Sequence, residues 1–317
     1  MLTLLLLVPI AAEHKALLLD RFNVVEALDP VSRAAAMATR GAEFELVLTN
    51  GTVGFTAAEI AACPKLKLLA AQGAGYENLD VAAAKAAGVL VCNGAGTNDD
   101  CVADHTLALL LASVRALPQQ GAALRAGVWR DALPLFPNFK GRRLGIVGLG
   151  GIGLKIAARA AAFGMVIGYH NRRPREGAGS ATWFDSVTAL AAWADDLVVA
   201  TPGGAATKHI VNAEVLAALG AGGHVVNIAR GSCLDTAALA AALAAGQIAG
   251  AALDVYEGEP RPPEALLGFD NVILTPHIAG WSPQSIRATV ENFIANVDAW
   301  QRGEALRPGS GIGRVEL

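Results

Sequence analysis

Leu144-Gly145-Ile146-Val147-Gly148-Leu149-Gly150-Gly151-Ile152-Gly153 is the stretch on which the reading of this chain turns. A strand-like apolar run leads into glycines spaced G-x-G-x-x-G, and the helical pattern Leu154–Phe163 follows at once. Each glycine has a task in such a turn. Gly148 makes the bend, Gly150 lets the backbone come close to a pyrophosphate, and Gly153 lets the helix close onto the strand. The intervening Gly151 and Ile152 present amides at the positive end of the helix dipole, where an anion is held. Glycine spacing alone would say little, because 35 of the 317 residues are glycine. The strand before it and the helix after it make the motif a dinucleotide site. Roughly 140 residues precede it, about one domain's worth, so the nucleotide fold is not the first unit the chain builds.

Outward from that motif, the chain is long enough for two domains with separate cores. It is 53% hydrophobic and 17% charged with a formal net charge of -3, which offers no basic field for nucleic acid and points to a small-molecule partner. The apolar start Leu2–Ile10 lacks a basic lead, is too short to span a bilayer and runs into the helix-like Glu13–Arg21. It reads as a buried first strand; no membrane partner is expected, and the expected location is cytoplasmic. Cys63, Cys92, Cys101 and Cys233 form no C-x-x-C pair and no cluster with the six histidines, so buried thiols are expected and no metal site.

Short apolar runs alternate with helical patterns along almost the whole length, which predicts an α/β protein with parallel sheets covered by helices. Leu2–Val8, Leu46–Thr49, Leu68–Ala71 and Val89–Cys92 are the early strands, joined by helices at Glu13–Arg21, Ala57–Ala62 and Val81–Ala87. One long helix is expected over Asp99–Leu117, with Asn98 as N-cap and Pro118 at its end. Strands at Val166–Tyr169, Leu197–Ala200, His224–Asn227, Ala249–Leu253 and Val272–Leu274 follow the glycine motif, with a helix at Thr236–Ala245 among the connections. A last amphipathic helix covers about Gln284–Arg302, and the glycine-rich Pro308–Gly313 is expected to lack firm structure. If that helix returns to the first third, residues 98–282 form a nucleotide domain inserted between 1–97 and 283–317. The active site would then lie in a cleft between the two domains.

A dinucleotide fold commonly carries an acid about 20 residues beyond the glycines, on the ribose 2′-hydroxyl. Here that slot reads Tyr169-His170-Asn171-Arg172-Arg173-Pro174-Arg175, with no acid. Guanidinium groups pair with a 2′-phosphate that a carboxylate would repel, so NADP(H) is favoured, with NAD(H) kept open and a solvated basic loop as the plain alternative.

Three polar residues follow at the ends of strand-like runs, where open α/β sheets place their chemistry: Arg230 in Asn227-Ile228-Ala229-Arg230-Gly231, Glu259 in Tyr256-Glu257-Gly258-Glu259-Pro260, and His277 in Thr275-Pro276-His277-Ile278-Ala279-Gly280. In these contexts, and in Gly73-Ala74-Gly75-Tyr76-Glu77-Asn78-Leu79-Asp80, Asn93–Ala112 and Gly127-Val128-Trp129-Arg130, the chain resembles the D-isomer-specific 2-hydroxyacid dehydrogenases over nearly its whole length. Gly96-Thr97-Asn98-Asp99-Asp100 and His277–Pro283 are most similar to the glyoxylate and hydroxypyruvate reductases of that family. The resemblance implies a Rossmann domain inserted in a flavodoxin-like substrate domain, and a homodimer.

The chemistry suits these residue types. Reduction of a 2-keto acid adds hydride to the carbonyl carbon and a proton to its oxygen, and His277 is suited to give that proton. Glu259 would hold the imidazole, and Arg230 would bind the substrate carboxylate and polarise the ketone. By resemblance, the Gly73, Ala74 and Gly75 amides would clamp the carboxylate, Asp254 would face the nicotinamide, and Thr97, Thr201, Pro202, Thr207, Ile228, Ala229 and Gly280 would line the cofactor. Asp104 departs from the Glu of many relatives. Trp129 and Trp281 are either core anchors or closers of a substrate pocket, one of them from a partner subunit. Phosphoglycerate or formate dehydrogenase activity, or a nucleotide-sensing corepressor on the same fold, are the alternatives to a small keto-acid reductase.

Overall fold

The computed structural model describes residues 1–307 and 311–312. The chain divides into two compact units, Met1–Asp99 with Gly280–Leu317, and Asp100–Ala279. The second is therefore inserted in the first.

In chain order the first unit begins with strands β1 (Thr3–Leu6), β2 (Asn23–Glu26), β3 (Leu46–Asn50), β4 (Leu68–Gln72) and β5 (Leu90–Asn93). Helices α1 (Ala12–Leu19), α2 (Pro30–Arg40), α3 (Ala57–Ala62) and α4 (Val81–Ala86) connect them. The five strands pair in parallel in the order β2-β1-β3-β4-β5. That is the flavodoxin-like doubly wound order. Leu4, Leu5, Leu6, Leu46, Val47, Leu48, Leu68 and Leu69 are all wholly buried. Strands covered on both faces need such unbroken apolar runs.

The second unit opens with α5 (Asp99–Val114) and α6 (Leu117–Arg125). Its sheet comprises β6 (Arg143–Val147), β7 (Val166–His170), β8 (Thr182–Phe184), β9 (Asp196–Val199), β10 (His224–Asn227), β11 (Gly250–Leu253) and β12 (Val272–Leu274). The crossovers include α7 (Gly151–Ala162), α8 (Val187–Trp193), α9 (Ala213–Leu219) and α10 (Thr236–Ala244). All seven strands are parallel, in the order β8-β7-β6-β9-β10-β11-β12. Read by first appearance this is the 3-2-1-4-5-6 Rossmann order with one strand added, and its direction reverses at β6. The chain then returns to the first unit as α11 (Pro283–Gln301), whose Ile286, Val290, Phe293 and Val297 pack with Leu4, Leu6 and Leu48. Gly311–Ile312, as β13, pairs antiparallel with β5.

Several expectations need correction. The expected long helix ends three residues early, at Val114, and Pro118 does not stop it but stands in the first turn of a second, unexpected helix, α6, which is bent by 56° from α5. Asn98 does not cap α5 through its side-chain oxygen, because Oδ1 is buried without a hydrogen-bond partner. Strands β2 and β8, and helix α2, went unread. β2 and β8 are short, part-exposed edge strands without an unbroken buried run. Two residues of the supposedly loose tail, 311–312, form β13, and the rest of that segment lies outside the described residues. Trp129 and Trp281 are exposed by 63% and 58%, so neither is a core anchor. Among the described residues, no single helix is long and apolar enough to cross a membrane.

At the amino ends of the strands, Arg142 holds the wholly buried Asp196 through Nε at 2.8 Å and Nη2 at 2.7 Å. Removing one partner of such a pair strands a buried charge. We expect Asp196→Ala to cost about 3–5 kcal/mol in urea unfolding, while the Michaelis parameters of the folded variant stay unchanged, since the reactive edge is at the other end of the sheet.

Candidate active site

In the second unit the candidate cofactor and catalytic residues follow the carboxyl ends of strands. The chain passes from β6 into Gly148, from β7 into Asn171, from β9 into Thr201 and Pro202, from β10 into Ile228, Ala229 and Arg230, from β11 into Asp254, and from β12 into His277. In a doubly wound sheet this edge, where strand order reverses, is where ligands bind.

The glycine turn fits a dinucleotide phosphate. Gly148 has φ +100°, and a Cβ there would stand 2.8 Å from the Ala200 carbonyl carbon. A Cβ on Gly153 would come within 2.4 Å of the Gly148 oxygen, so α7 packs directly on the turn. A Cβ on Gly150 would meet nothing within 4 Å, which leaves open space beside the backbone. Gly150 caps α7 without a side-chain hydrogen bond, so the amides of Gly151, Ile152 and Gly153 at the helix start have no side-chain cap. Backbone amides, a dipole end and room for close approach are what a pyrophosphate needs. Asn171 accepts the Leu149 amide at 2.7 Å and so ties the glycine turn to the arginine loop. That loop is further held by Trp183 Nε1 donating to the Asn171 carbonyl and by the Arg175 amide donating to the Tyr169 hydroxyl. Arg172 and Arg173 are exposed. Thr207 Oγ1 donates to the Pro202 carbonyl at 2.7 Å and shapes the loop after β9; Thr201 stands at its start.

Glu259 and His277 meet through Oε2 and Nδ1 at 2.7 Å. The other carboxylate oxygen of Glu259 accepts the Tyr256 amide at 2.8 Å, so the group is held at both ends. Half-burial pushes the Glu259 carboxyl up, but the His277 bond, the Tyr256 amide and the charges of His277 and Arg230 outweigh it and hold it below its ordinary value. It is a carboxylate at neutral pH. Nδ1 of His277 is engaged, which directs the second ring nitrogen, Nε2, to any other partner. Arg230 sits in a loop held by the wholly buried Asn227, whose amide nitrogen donates to the Arg230 carbonyl and whose oxygen accepts the Ala229 amide. Gly231 next to it admits no side chain, since a Cβ would stand 2.1 Å from the Tyr256 carbonyl carbon. The Arg230 and Glu259 loops are thus in backbone contact. Asn227 was not marked from the sequence, although an Asn ending a buried strand is a known turn former.

His277 has φ +55°, the left-handed region, at about 1–3 kcal/mol for a residue with a side chain. Asp254, 1% exposed, accepts the Ile278 amide on Oδ1 and the Ala279 amide on Oδ2, both at 2.9 Å.

The remaining marked residues lie in the first unit. Gly73-Ala74-Gly75 leaves the carboxyl end of β4, with Gly73 at φ +75°. Asn93 donates to the Ala74 carbonyl at 2.7 Å, and Gly94 admits no side chain against the Gly73 amide. Thr97 donates to the Gly94 carbonyl and meets Thr289 Oγ1 at 3.0 Å. Gly280 abuts the Asn98 side chain, 2.7 Å from where a Cβ would stand.

Residues 107–279 match the family described as D-isomer specific 2-hydroxyacid dehydrogenase, NAD binding domain. The chain is 33% identical to glyoxylate/hydroxypyruvate reductase A of Arabidopsis thaliana, over 95% of this chain and 96% of that one. It is 34% identical to hydroxyphenylpyruvate reductase of Plectranthus scutellarioides over the same shares. The crystal structure of an NADPH-dependent glyoxylate/hydroxypyruvate reductase from Sinorhizobium meliloti, in complex with NADP and malonate, superposes with a TM-score of 0.87 at 39% identity, covering 100% of this chain and 99% of that one. The fold, the nicotinamide-type glycine turn and these likenesses define an oxidoreductase with a Rossmann domain. The chain belongs to the D-isomer specific 2-hydroxyacid dehydrogenase family.

The lowered pKa of Glu259 carries a stability consequence. A carboxyl depressed on folding contributes stability that is whole above its ordinary value of 4.5 and is lost as pH falls through the lower folded value. Thermal unfolding of the wild type should therefore fall more steeply below about pH 4.5 than that of Glu259→Gln, and parallel curves would contradict the assignment.

Proposed function

We propose that the protein reduces small 2-keto acids, glyoxylate and hydroxypyruvate first, to D-2-hydroxy acids with NADPH, in the cytoplasm and as a homodimer. The observation that carries the reaction is the Glu259–His277 pair at 2.7 Å, within reach of the Arg230 charge and at the sheet edge that carries the glycine turn. The reduced nicotinamide, when bound, supplies the hydride. His277 delivers the proton to the developing alkoxide from Nε2, while Glu259 holds the ring by Nδ1. Arg230 binds the substrate carboxylate and draws charge toward the ketone oxygen.

NADPH over NADH rests on Arg172 and Arg173, exposed beside Asn171 where an acid would otherwise select the free ribose. The naming of the Sinorhizobium meliloti relative as NADPH-dependent supports this. The dimer rests on exposed apolar side chains of the second unit, Leu117, Leu124, Trp129 and Leu135, the last fully exposed. Such side chains are at home in an interface.

Turnover decides the reading. Protein with NADPH and glyoxylate or hydroxypyruvate should oxidise the cofactor, and His277→Asn should lower kcat by about 10²- to 10⁴-fold. Hydroxyphenylpyruvate belongs in the same panel because a relative acts under that name. Absence of turnover with every keto acid would overturn the enzyme assignment. Arg172→Ala/Arg173→Ala should lower kcat/KM for NADPH by at least about tenfold and leave NADH nearly unchanged, as expected for lost 2′-phosphate pairing. Equal efficiency of the wild type with both cofactors would overturn the NADPH preference.

A further inference from the structure

His277 is held by more than Glu259, and the rest of its support comes from Asp254, Thr275 and His105, to which no step of the substrate chemistry above is assigned. Asp254 brackets it from both sides. The Asp254 carbonyl accepts the His277 amide at 2.9 Å, and its carboxylate accepts the two following amides, Ile278 and Ala279. On the preceding side, Thr275 Oγ1 donates to Asp254 Oδ1 at 2.6 Å. One buried residue therefore touches positions 275, 277, 278 and 279, and holds the left-handed backbone at His277 from outside the turn itself.

The Thr275 hydroxyl has one proton, and it is given to Asp254. Its oxygen can then only accept from His105 Nε2, 3.1 Å away. That fixes Nε2 of His105 as the protonated nitrogen. The same nitrogen lies 3.6 Å from Asp254 Oδ1. His105 projects from the middle of α5, a helix of 16 residues, so the chain His105–Thr275–Asp254 anchors the His277 turn to a rigid element.

We infer that Thr275 and His105 are positioning residues for His277, acting through the Asp254 carboxylate to set where the imidazole delivers its proton. The inference rests on the assignment of His277 as proton donor. Proton transfer is made only in the transition state, so misplacing the donor lowers kcat and leaves ground-state binding intact. A role in stability alone would lower the unfolding temperature without that selectivity.

The test is steady-state kinetics with NADPH and glyoxylate on Thr275→Val, which keeps shape and removes the hydroxyl. We expect kcat to fall about 10- to 100-fold, with both KM values within about threefold of wild type. Thr275→Ser should restore most of the rate. His105→Leu should reproduce the loss, His105→Gln, which keeps a donor, should avoid it, and the double variant Thr275→Val/His105→Leu should be no slower than Thr275→Val, since one chain is broken once. A folded Thr275→Val with wild-type kcat would overturn the inference, as would losses that multiply in the double variant. If Thr275→Val does not fold, the His105→Leu and His105→Gln pair decides by the same criteria. His277→Asn separates the two levels: if it retains wild-type turnover the proton-donor assignment fails, whereas its inactivity beside an unaffected Thr275→Val defeats only the positioning chain.

Discussion

A parallel strand cannot turn straight into its neighbour, and that constraint orders the whole molecule. Each strand must release the chain at its carboxyl end into a crossover, so the irregular backbone of each sheet collects along one edge. In the inserted unit seven parallel strands do this, and the segments after β6, β7, β9, β10, β11 and β12 carry Gly148, Asn171, Thr201, Arg230, Asp254 and His277. The opposite edge carries structural charge, the Arg142–Asp196 pair. Stability and chemistry are thereby kept at different ends of the same strands.

At the reactive edge, close backbone approach does what side chains cannot. Gly148, Gly153 and Gly231 stand where a Cβ would collide with main chain, so adjacent loops lie against each other without intervening side chains. Asn227 and Asp254, both buried polar groups at strand ends, spend their hydrogen bonds on the amides and carbonyls of those loops. A buried carboxylate left unmatched would be costly, and here the cost is offset by N–H and O–H partners at every oxygen. The strained backbone of His277 persists because its surroundings over-determine it.

Much of this was legible from residue order. Near-continuous apolar runs such as Leu46–Thr49 and Leu68–Ala71 are what a strand buried on both faces requires, and they fell where the strands are. β2 and β8 were missed because an edge strand is half wet and carries no such run. Helix α2 had a readable start, Asp29 with Pro30 at the first position and Ser32 closing a capping box, and its Ala36 and Met37 pack on the core, yet the helix buries no residue fully. Helix α6 was missed because Pro118 reads equally as the stop of one helix and the first turn of the next; Ala116, at φ +47°, separates the two.

The sequence by itself determined the two-sheet α/β class, the glycine turn and the residue types gathered for acid and anion chemistry, because these depend on local periodicity and on glycine's missing Cβ. Only the tertiary structure decided which groups meet. Glu259 and His277 are 18 residues apart on separate loops, and His105 lies 170 residues from Thr275. Such contacts arise from strand order and register, which bring distant strand ends to one edge. No local pattern encodes them.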